Sequence, residues 1–229
     1  MLPGMIEKIS LKIPVFILSI WISSLSLSGQ ENHNKEQQVK ISCPEKRWAV
    51  LHPFISKKTY ILTIEVLQTA DSLKVAETMD KDINGGQVDA FKHAYWMAVL
   101  VQHIKWRKAI KLGKAHEKGN YRSYKKYRRK GMYSTHDKIA SEMDLHNNQI
   151  GVEIGLDLKN KELLSIQQAV IDSIQAGKMK IIKKNAAGQY LDCEGNVIPE
   201  ETLIGEWENN KCLIPSNKVS ANSSRMIDN

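Results

Sequence analysis

The sequence predicts a mainly α-helical, bundle-like domain with a small β-hairpin or meander near the C-terminus. Apolar residues recur at helical spacing in several long segments between residues 56 and 176. An alternating pattern follows, with turn signals at Ala187-Gly188 and Glu194-Gly195-Asn196. The composition, with 42% hydrophobic and 25% charged residues, is that of a folded globular protein.

Residues 1–28 are predicted to be a secretory signal peptide. Two lysines precede an apolar run at residues 13–22, and small residues follow up to Ser28. A membrane span needs about 20 apolar residues, so a cleaved signal is favoured over a retained membrane anchor. The protein is therefore expected to be secreted or periplasmic.

Four long helices are predicted inside a helical domain at residues 45–176, after a flexible polar lead-in at residues 29–44. Apolar periodicity supports each helix, and turn or glycine signals separate them. The helices cover residues 56–79, about 88–111, 137–158 and 160–176. In the third helix, Gly151 and Gly155 lie one turn apart, which lets a neighbouring helix approach its backbone closely.

Residues 177–215 are predicted to form the β appendage, and residues 216–229 a disordered tail. An exported protein can form disulfides, and a Cys193–Cys212 bond could close a small β unit. Cys43 would then be left over. Because no CxxC pair occurs, a zinc ribbon is excluded.

Polar residues suited to chemistry occur in two of the predicted helices. Asp89 and His93 are four residues apart, so they share one helix face and can touch. Asp144 and Asn148 have the same spacing on a later helix, with Asn147 beside them. These two groups are candidates for one polar site.

A further pair, His116 and Glu117, follows Gly113, which is predicted to end or interrupt the second helix. Histidines and carboxylates from separate helices can bind a metal ion in the core of a bundle. His93, His116 and Asp144 are therefore the predicted ligands of a divalent metal ion. In a metal-free alternative, the Asp89 carboxylate orients His93 as a general base.

Asn147 and Asn148 would hold a substrate oxygen or a water in either case. His146 is about 200° around the helix from Asp144, so it should point away from the site. A purely structural interpretation also stays open. The Asp89 carboxylate can cap free N–H groups at a helix start, and buried amides can fix how helices pack.

Residues 118–130 combine seven Lys or Arg with three Tyr and contain no acidic residue. Basic groups neutralise phosphates and tyrosines stack on bases or lie at interfaces. The segment predicts a contact with nucleic acid or a phospholipid surface, through Arg122, Lys125 and Lys126. A solvated, mobile loop is the alternative. The formal net charge of +8 suits an anionic partner.

Three motifs, "GGQVDAFKHAYWMAVL", "KAHE" and "MDLHNNQIGVEIG", occur in this order. Together they resemble an uncharacterised domain of bacterial exported proteins and toxin-like C-terminal modules, whose signature is D-A-F-[RK]-H-A-x-W, A-H-E and M-D-L-x-N-N-x-x-G. The resemblance covers about residues 45–160 and implies no particular reaction. It marks as a recurring set Asp89, His93, Trp96, His116, Glu117, Asp144, Asn147 and Asn148.

The leading functional prediction is an exported hydrolase, metal-assisted or His-dependent, acting on a phosphodiester or lipid-like substrate. The predicted catalytic residues are Asp89, His93, His116, Glu117 and Asp144. The predicted substrate-binding residues are Trp96, Asn147, Asn148, Arg122, Lys125 and Lys126. The alternative is a non-enzymatic binding module of the cell envelope, in which the cluster is a hydrogen-bond network. A secreted antibacterial toxin rests only on analogy with the family.

Overall fold

The computed structural model describes residues 40–73 and 79–218. These residues confirm a mainly α fold with a small antiparallel sheet near the C-terminus. The helices are α1 (Cys43–Leu51), α2 (Pro53–Leu73), α3 (Gln87–His103), α4 (Trp106–Arg128), α5 (Lys138–Asp157) and α6 (Leu163–Gln175), and the strands are β1 (Lys180–Ile182) and β2 (Leu213–Pro215).

Helix α1 was not predicted, although its start carries a clear local signal. The Ser42 hydroxyl accepts a hydrogen bond from Glu45 N at 3.5 Å, and the Glu45 carboxylate accepts one from Ser42 N at 2.7 Å. This reciprocal pair is a capping box, and Pro44 suits the first turn. The predicted lead-in therefore ends before Ser42.

Helices α3 and α4 replace the single helix predicted at residues 88–111. Ile104 and Lys105 adopt extended backbone, and helix α4 then runs through Gly113 without a break. The Trp48 indole N–H donates to Lys108 O at 3.1 Å, which fixes the start of α4 against α1. Tertiary contacts thus set this boundary, not a helix-breaking residue.

The basic segment at residues 118–130 is mostly the last part of α4, so the mobile-loop interpretation is wrong. Tyr124 is buried and donates its hydroxyl to Gly205 O at 2.7 Å. Its ring also contacts Trp207, at 5.0 Å between centroids. The segment is therefore an ordered helix with one anchored tyrosine and an outer cationic surface.

Helix α3 is the centre of the bundle and is buried on nearly all sides. The close approach predicted from the two glycines of α5 is confirmed. A Cβ atom at Gly151 would lie 2.0 Å from Ala94 O, and one at Gly155 would lie 2.5 Å from Ala98 O. Only glycine allows the two backbones to touch in this way, and this contact sets the depth of the candidate site.

The appendage has the predicted turns at Ala187-Gly188 and Glu194-Gly195-Asn196, each enclosed by one antiparallel bridge, and adds a longer-range strand pair. Strand β1 pairs antiparallel with β2, with Ile181 opposite Ile214, and isolated bridges Lys184–Tyr190 and Leu191–Val197 lie between them. A disulfide joins Cys193 to Cys212, while Cys43 is exposed and free. The appendage is therefore a small irregular β unit closed by one covalent bond.

A buried ion pair attaches the appendage to the helices. Lys211 Nζ lies 2.6 Å from Asp137 Oδ2, and both side chains are buried. The other Asp137 oxygen caps α5 by accepting from Ala140 N at 2.8 Å. Ser216, inside the predicted tail, is also buried and donates to Ile174 O at 2.7 Å.

The predicted signal peptide, most of the lead-in and residues 219–229 lie outside the described residues. Among the helices that the structure describes, none has both the length and the apolar character needed to cross a membrane.

Candidate metal centre

The crossing of α3 and α5 brings together Asp89, His93 and Asp144, all of them buried. His93 Nε2 lies 3.3 Å from Asp144 Oδ1 and 3.7 Å from Asp89 Oδ1. One potential ligand atom from each residue lies within 4.8 Å of the other two. Two carboxylates and one imidazole therefore converge on one small volume.

Asp89 is held in place by two neighbours. Its Oδ2 accepts a hydrogen bond from Gly85 N at 2.8 Å, at the start of α3, and its Oδ1 pairs with Lys92 one turn later. Burial alone would raise the pKa of Asp89, but the positive Lys92 and the other neighbours outweigh it and lower the pKa. Asp89 is thus a fixed carboxylate, but the predicted capping of the helix start belongs to Asp80, which accepts from Gln87 N.

The pKa values of His93 and Asp144 are both shifted toward the neutral form of the group. Burial, followed by the charge of Lys92, lowers the pKa of His93 to about 3. Burial, followed by the charges of Asp89 and Glu117, raises the pKa of Asp144 well above its ordinary value. A bound cation would reverse the penalty on the Asp144 carboxylate, because a metal charge dominates its surroundings.

The donor set fits a divalent transition-metal ion. Zinc ligands lie about 2.0–2.2 Å from the ion, so two ligands of one ion are at most about 4.4 Å apart. The two distances from His93 Nε2, 3.3 and 3.7 Å, satisfy this limit. An ion bound to Asp89 Oδ1 would displace the Lys92 ammonium, which pairs with that oxygen. Asp144 Oδ1 is buried and has no hydrogen-bond partner among the described residues. An orphaned carboxylate oxygen beside an imidazole nitrogen is a position that a cation would satisfy.

The cluster that the structure brings together contains Asp89, whereas the predicted ligand His116 lies outside it. His116 Nδ1 instead contacts Glu45 Oε1 at 2.9 Å. Its ring centroid lies 5.9 Å from that of His93 and 5.6 Å from that of Trp96. Burial opposes protonation, but the Glu45 hydrogen bond and nearby negative charges raise the pKa of His116 overall.

Glu117, a predicted catalytic residue, is held away from the cluster. Its carboxylate accepts from Ser141 Oγ at 2.9 Å and from the Asn120 amide at 3.3 Å. Burial raises the pKa of Glu117. The residue contributes negative charge to the surroundings of Asp144, but it does not line the cavities described below.

The two asparagines of α5 have different roles. The Asn147 amide bonds both the N–H and the C=O of Lys180, each at 2.9 Å, which assigns it to anchoring β1 rather than to the predicted substrate contact. Asn148 is buried beside His93 and Gly113, and neither of its amide atoms completes a hydrogen bond in the described structure. His146 lies off the site and contacts Lys178 O at 3.0 Å.

Two small cavities meet at His93 and His116. The polar cavity, of about 70 Å³, is also lined by Asp89, Asp144 and residues of the appendage. The apolar cavity, of about 90 Å³, lies between α2 and α3 and is walled by Val66, Leu67 and Trp96. Lys92 lines both cavities.

Trp96 is therefore placed beside the cluster but in its apolar part, where its indole N–H donates to Thr63 Oγ1 at 2.9 Å. Arg122, Lys125 and Lys126 are exposed on α4 and line neither cavity, and Lys125 Nζ lies 4.6 Å from the Tyr121 ring centroid. The structure thus separates the predicted basic surface from the polar cluster.

Several site residues were missed by the sequence analysis. Lys92 had a usable signal, since it lies one turn after Asp89, and the capping box marks Glu45. Ile182 and Tyr190, which line the polar cavity from the appendage, carry no such signal. Their position depends on the pairing of β1 with a distant strand.

The fold and site define a helical bundle with a buried histidine–carboxylate cluster at the crossing of two helices. The family model described as Domain of unknown function (DUF6973) matches residues 46–178, and the chain belongs to this family. The match includes α3, α4 and α5 and ends before β1. No curated protein and no solved structure matches the chain.

Proposed function

We propose that this protein is an exported hydrolase that binds a divalent transition-metal ion through Asp89, His93 and Asp144. The observation that carries the proposal is the convergence of these three buried groups, with Asp144 Oδ1 lacking a hydrogen-bond partner in the described structure. A protein interior does not normally leave such an oxygen unsatisfied. The predicted secretion and a periplasmic location belong to this proposal.

A metal ion in this position would supply an activated water at neutral pH and polarise a substrate oxygen. The chain's own residues prepare the position. Gly85 N–H and Lys92 hold the Asp89 carboxylate ionised. In the proposal, the unpaired Asn148 amide beside His93 would bond the imidazole once a metal fixes the ring, as neighbours of metal-bound histidines commonly do.

His116 is the proposed proton donor to the leaving group. Glu45 contacts its Nδ1, so Nε2 is the nitrogen left to face a substrate. The raised pKa of His116 means that this imidazole keeps its proton to a higher pH than an exposed histidine does. The His116 ring lines both cavities. His116 would therefore donate its proton where the polar group of a substrate joins its apolar chain.

The paired cavities support a lipid-like ester or phosphodiester substrate. The polar cavity contains the cluster and the ammonium of Lys92, which suits an anionic or carbonyl group. The adjoining cavity is lined by Val66, Leu67 and Trp96 together with polar residues such as Thr63 and Glu45, and its apolar surface suits an acyl chain. The basic surface of Arg122, Lys125 and Lys126 remains a predicted contact for an anionic ligand outside this site.

The test is hydrolysis of p-nitrophenyl acyl esters of increasing chain length and of bis-p-nitrophenyl phosphate, with Zn²⁺ or Mn²⁺ added. We expect metal-dependent turnover of one class, lost in His93→Ala and Asp144→Asn but kept in Lys125→Gln. The preferred acyl-chain length should be shorter in Leu67→Trp, because the larger side chain fills the apolar cavity. Absence of turnover for both classes in a folded, metal-loaded protein would contradict the hydrolase proposal.

A non-enzymatic envelope module is the second candidate, and a specific observation favours it. Asp89 already has a structural role, since it caps Gly85 N–H and pairs with Lys92. In that case the cluster stabilises the helix crossing without a metal. His93→Ala would then lower the melting temperature by several degrees, and added metal would not change the melting temperature of the parent protein.

A further inference from the structure

An apolar corner is exposed where α1 turns into α2. Val50, Leu51 and Phe54 are 78%, 68% and 99% exposed, and they are nearly consecutive in the chain. The turn itself is rigid, because His52 N donates to Ala49 O at 3.0 Å and the His52 ring contacts Trp48 O at 2.8 Å. The chain therefore holds three large apolar side chains in water at one ordered corner.

A second exposed corner lies between α3 and α4. Trp106 is 41% exposed at the first position of α4, and the Arg107 guanidinium lies 4.8 Å from its ring centroid. The Trp48 indole bonds Lys108 O, so α1 packs on the first turn of α4. An open groove between the corners is lined by His52 and Trp106. Both corners therefore belong to one end of the bundle.

The surroundings of both corners are cationic. Residues 46–58 and 103–111 contain no acidic residue. Their basic residues are Lys46, Arg47, Lys57, Lys58, Lys105, Arg107, Lys108 and Lys111. At His103, burial, followed by the charges of Lys58 and Lys159, lowers the pKa and outweighs the opposing charge of Glu65.

We infer that this end of the bundle is a docking surface for an anionic lipid bilayer. Apolar side chains with a tryptophan can enter the headgroup region, while the surrounding lysines and arginines attract anionic lipids. A rigid corner loses little conformational freedom on insertion. The surface differs from the basic part of α4 near Lys125, which has no fully exposed aliphatic residues beside it.

The position of the docking surface suits the proposed function. The inference of membrane binding does not depend on that function. Helix α1 runs from the Glu45–His116 contact to Leu51, a distance of about 9 Å at 1.5 Å per residue. Helix α4 runs from Trp106 to His116, about 15 Å by the same measure. Both helices thus connect the docking surface directly with the two cavities.

The experiment measures flotation of the full chain with vesicles of phosphatidylcholine, with and without phosphatidylglycerol. Every sample keeps the N-terminal segment, so differences between variants report the folded domain. We expect Phe54→Ser with Trp106→Ser, and separately Lys57→Gln with Lys58→Gln and Arg107→Gln, to weaken binding to anionic vesicles at least about tenfold. The matched charge control is Lys178→Gln with Lys180→Gln and Lys218→Gln, three exposed lysines at or beside the appendage, and it should bind as the parent does.

Amide hydrogen exchange supplies a second readout, because anionic vesicles should protect residues 50–54 and 105–108. Equal binding to neutral vesicles, or equal loss in the control variant at Lys178, Lys180 and Lys218, would overturn the inference. Protection of the same amides without vesicles at high protein concentration would assign the surface to a second copy of the chain and overturn it as well. Vesicle binding and hydrogen exchange are measured without metal loading or hydrolysis. Failure of the docking surface in these experiments is therefore distinct from failure of the proposed function.

Discussion

Gly151 of α5 lies directly against the carbonyl oxygen of Ala94 in α3, so closely that a Cβ atom on the glycine would be 2.0 Å from that oxygen. The contact lies one residue after His93 on α3 and two turns after Asp144 on α5. It therefore determines how far apart the imidazole and the carboxylate are. The proposed metal centre depends on this backbone approach as much as on its ligands.

Gly151→Ala should force the two helices apart and destabilise the protein by about 3 kcal/mol, since overpacking against backbone cannot be relieved by a side-chain rotation. Urea unfolding measures the change. Gln149→Ala, on the exposed face of the same helix, is the control and should stay within about 0.5 kcal/mol of the parent. Equal stability of Gly151→Ala and the parent would show that the helices are not in contact there.

The Glu45–His116 pair is predicted to stabilise the protein most within a limited range of pH. Burial opposes the pair, but His116 lowers the pKa of Glu45 below 4.5, and Glu45 with Glu117 raises the pKa of His116 above 6.5. The Glu45 contribution is complete above 4.5 and is lost as pH falls through its lowered pKa. The His116 contribution is complete below 6.5 and is lost as pH rises through its raised pKa.

Melting temperatures of the parent and of Glu45→Gln, measured across pH, test this window. Glutamine keeps the capping box with Ser42, so the variant removes mainly the charge. The stability difference should be largest between pH 4.5 and 6.5 and shrink on both sides. A difference that does not change with pH would mean that the pair is not formed in solution.

Lys211→Met should destabilise the protein by about 3–5 kcal/mol, because it leaves the buried Asp137 carboxylate without its partner. The neighbouring Lys138–Glu208 pair, at 3.2 Å and largely exposed, provides a control. Lys138→Met should cost less than about 1 kcal/mol. Thermal unfolding measures both variants, and similar effects for the two would contradict the buried position of Lys211.

The sequence was sufficient for most of the fold. Apolar periodicity located α2, α5 and α6, and the two glycines predicted the close helix contact. The break between α3 and α4 could not be predicted from the sequence, because Ile104 and Lys105 are not helix breakers. The boundary depends on packing against Trp48. The pairing of β1 with β2 is likewise a long-range contact that turn signals do not specify.

The site was predictable in part, for a similar reason. Helical spacing placed Asp89 with His93 and turned His146 away, since both conclusions need only the geometry of one helix. No local sequence pattern shows how α4 is rotated relative to α3. That rotation brings Asp89, and not His116, into the proposed ligand set. The role of Asn147 depends on strand β1 in the same way.

The metal content of the purified protein tests the central claim most directly. After dialysis against Zn²⁺ and removal of free ion, elemental analysis should find about one equivalent per chain in the parent and in His116→Ala. His93→Ala, Asp89→Asn and Asp144→Asn should each lose it, and Asn148→Ala should bind about 10–100-fold more weakly. No metal in the folded parent, or loss in His116→Ala with retention in Asp89→Asn, would contradict the proposed centre.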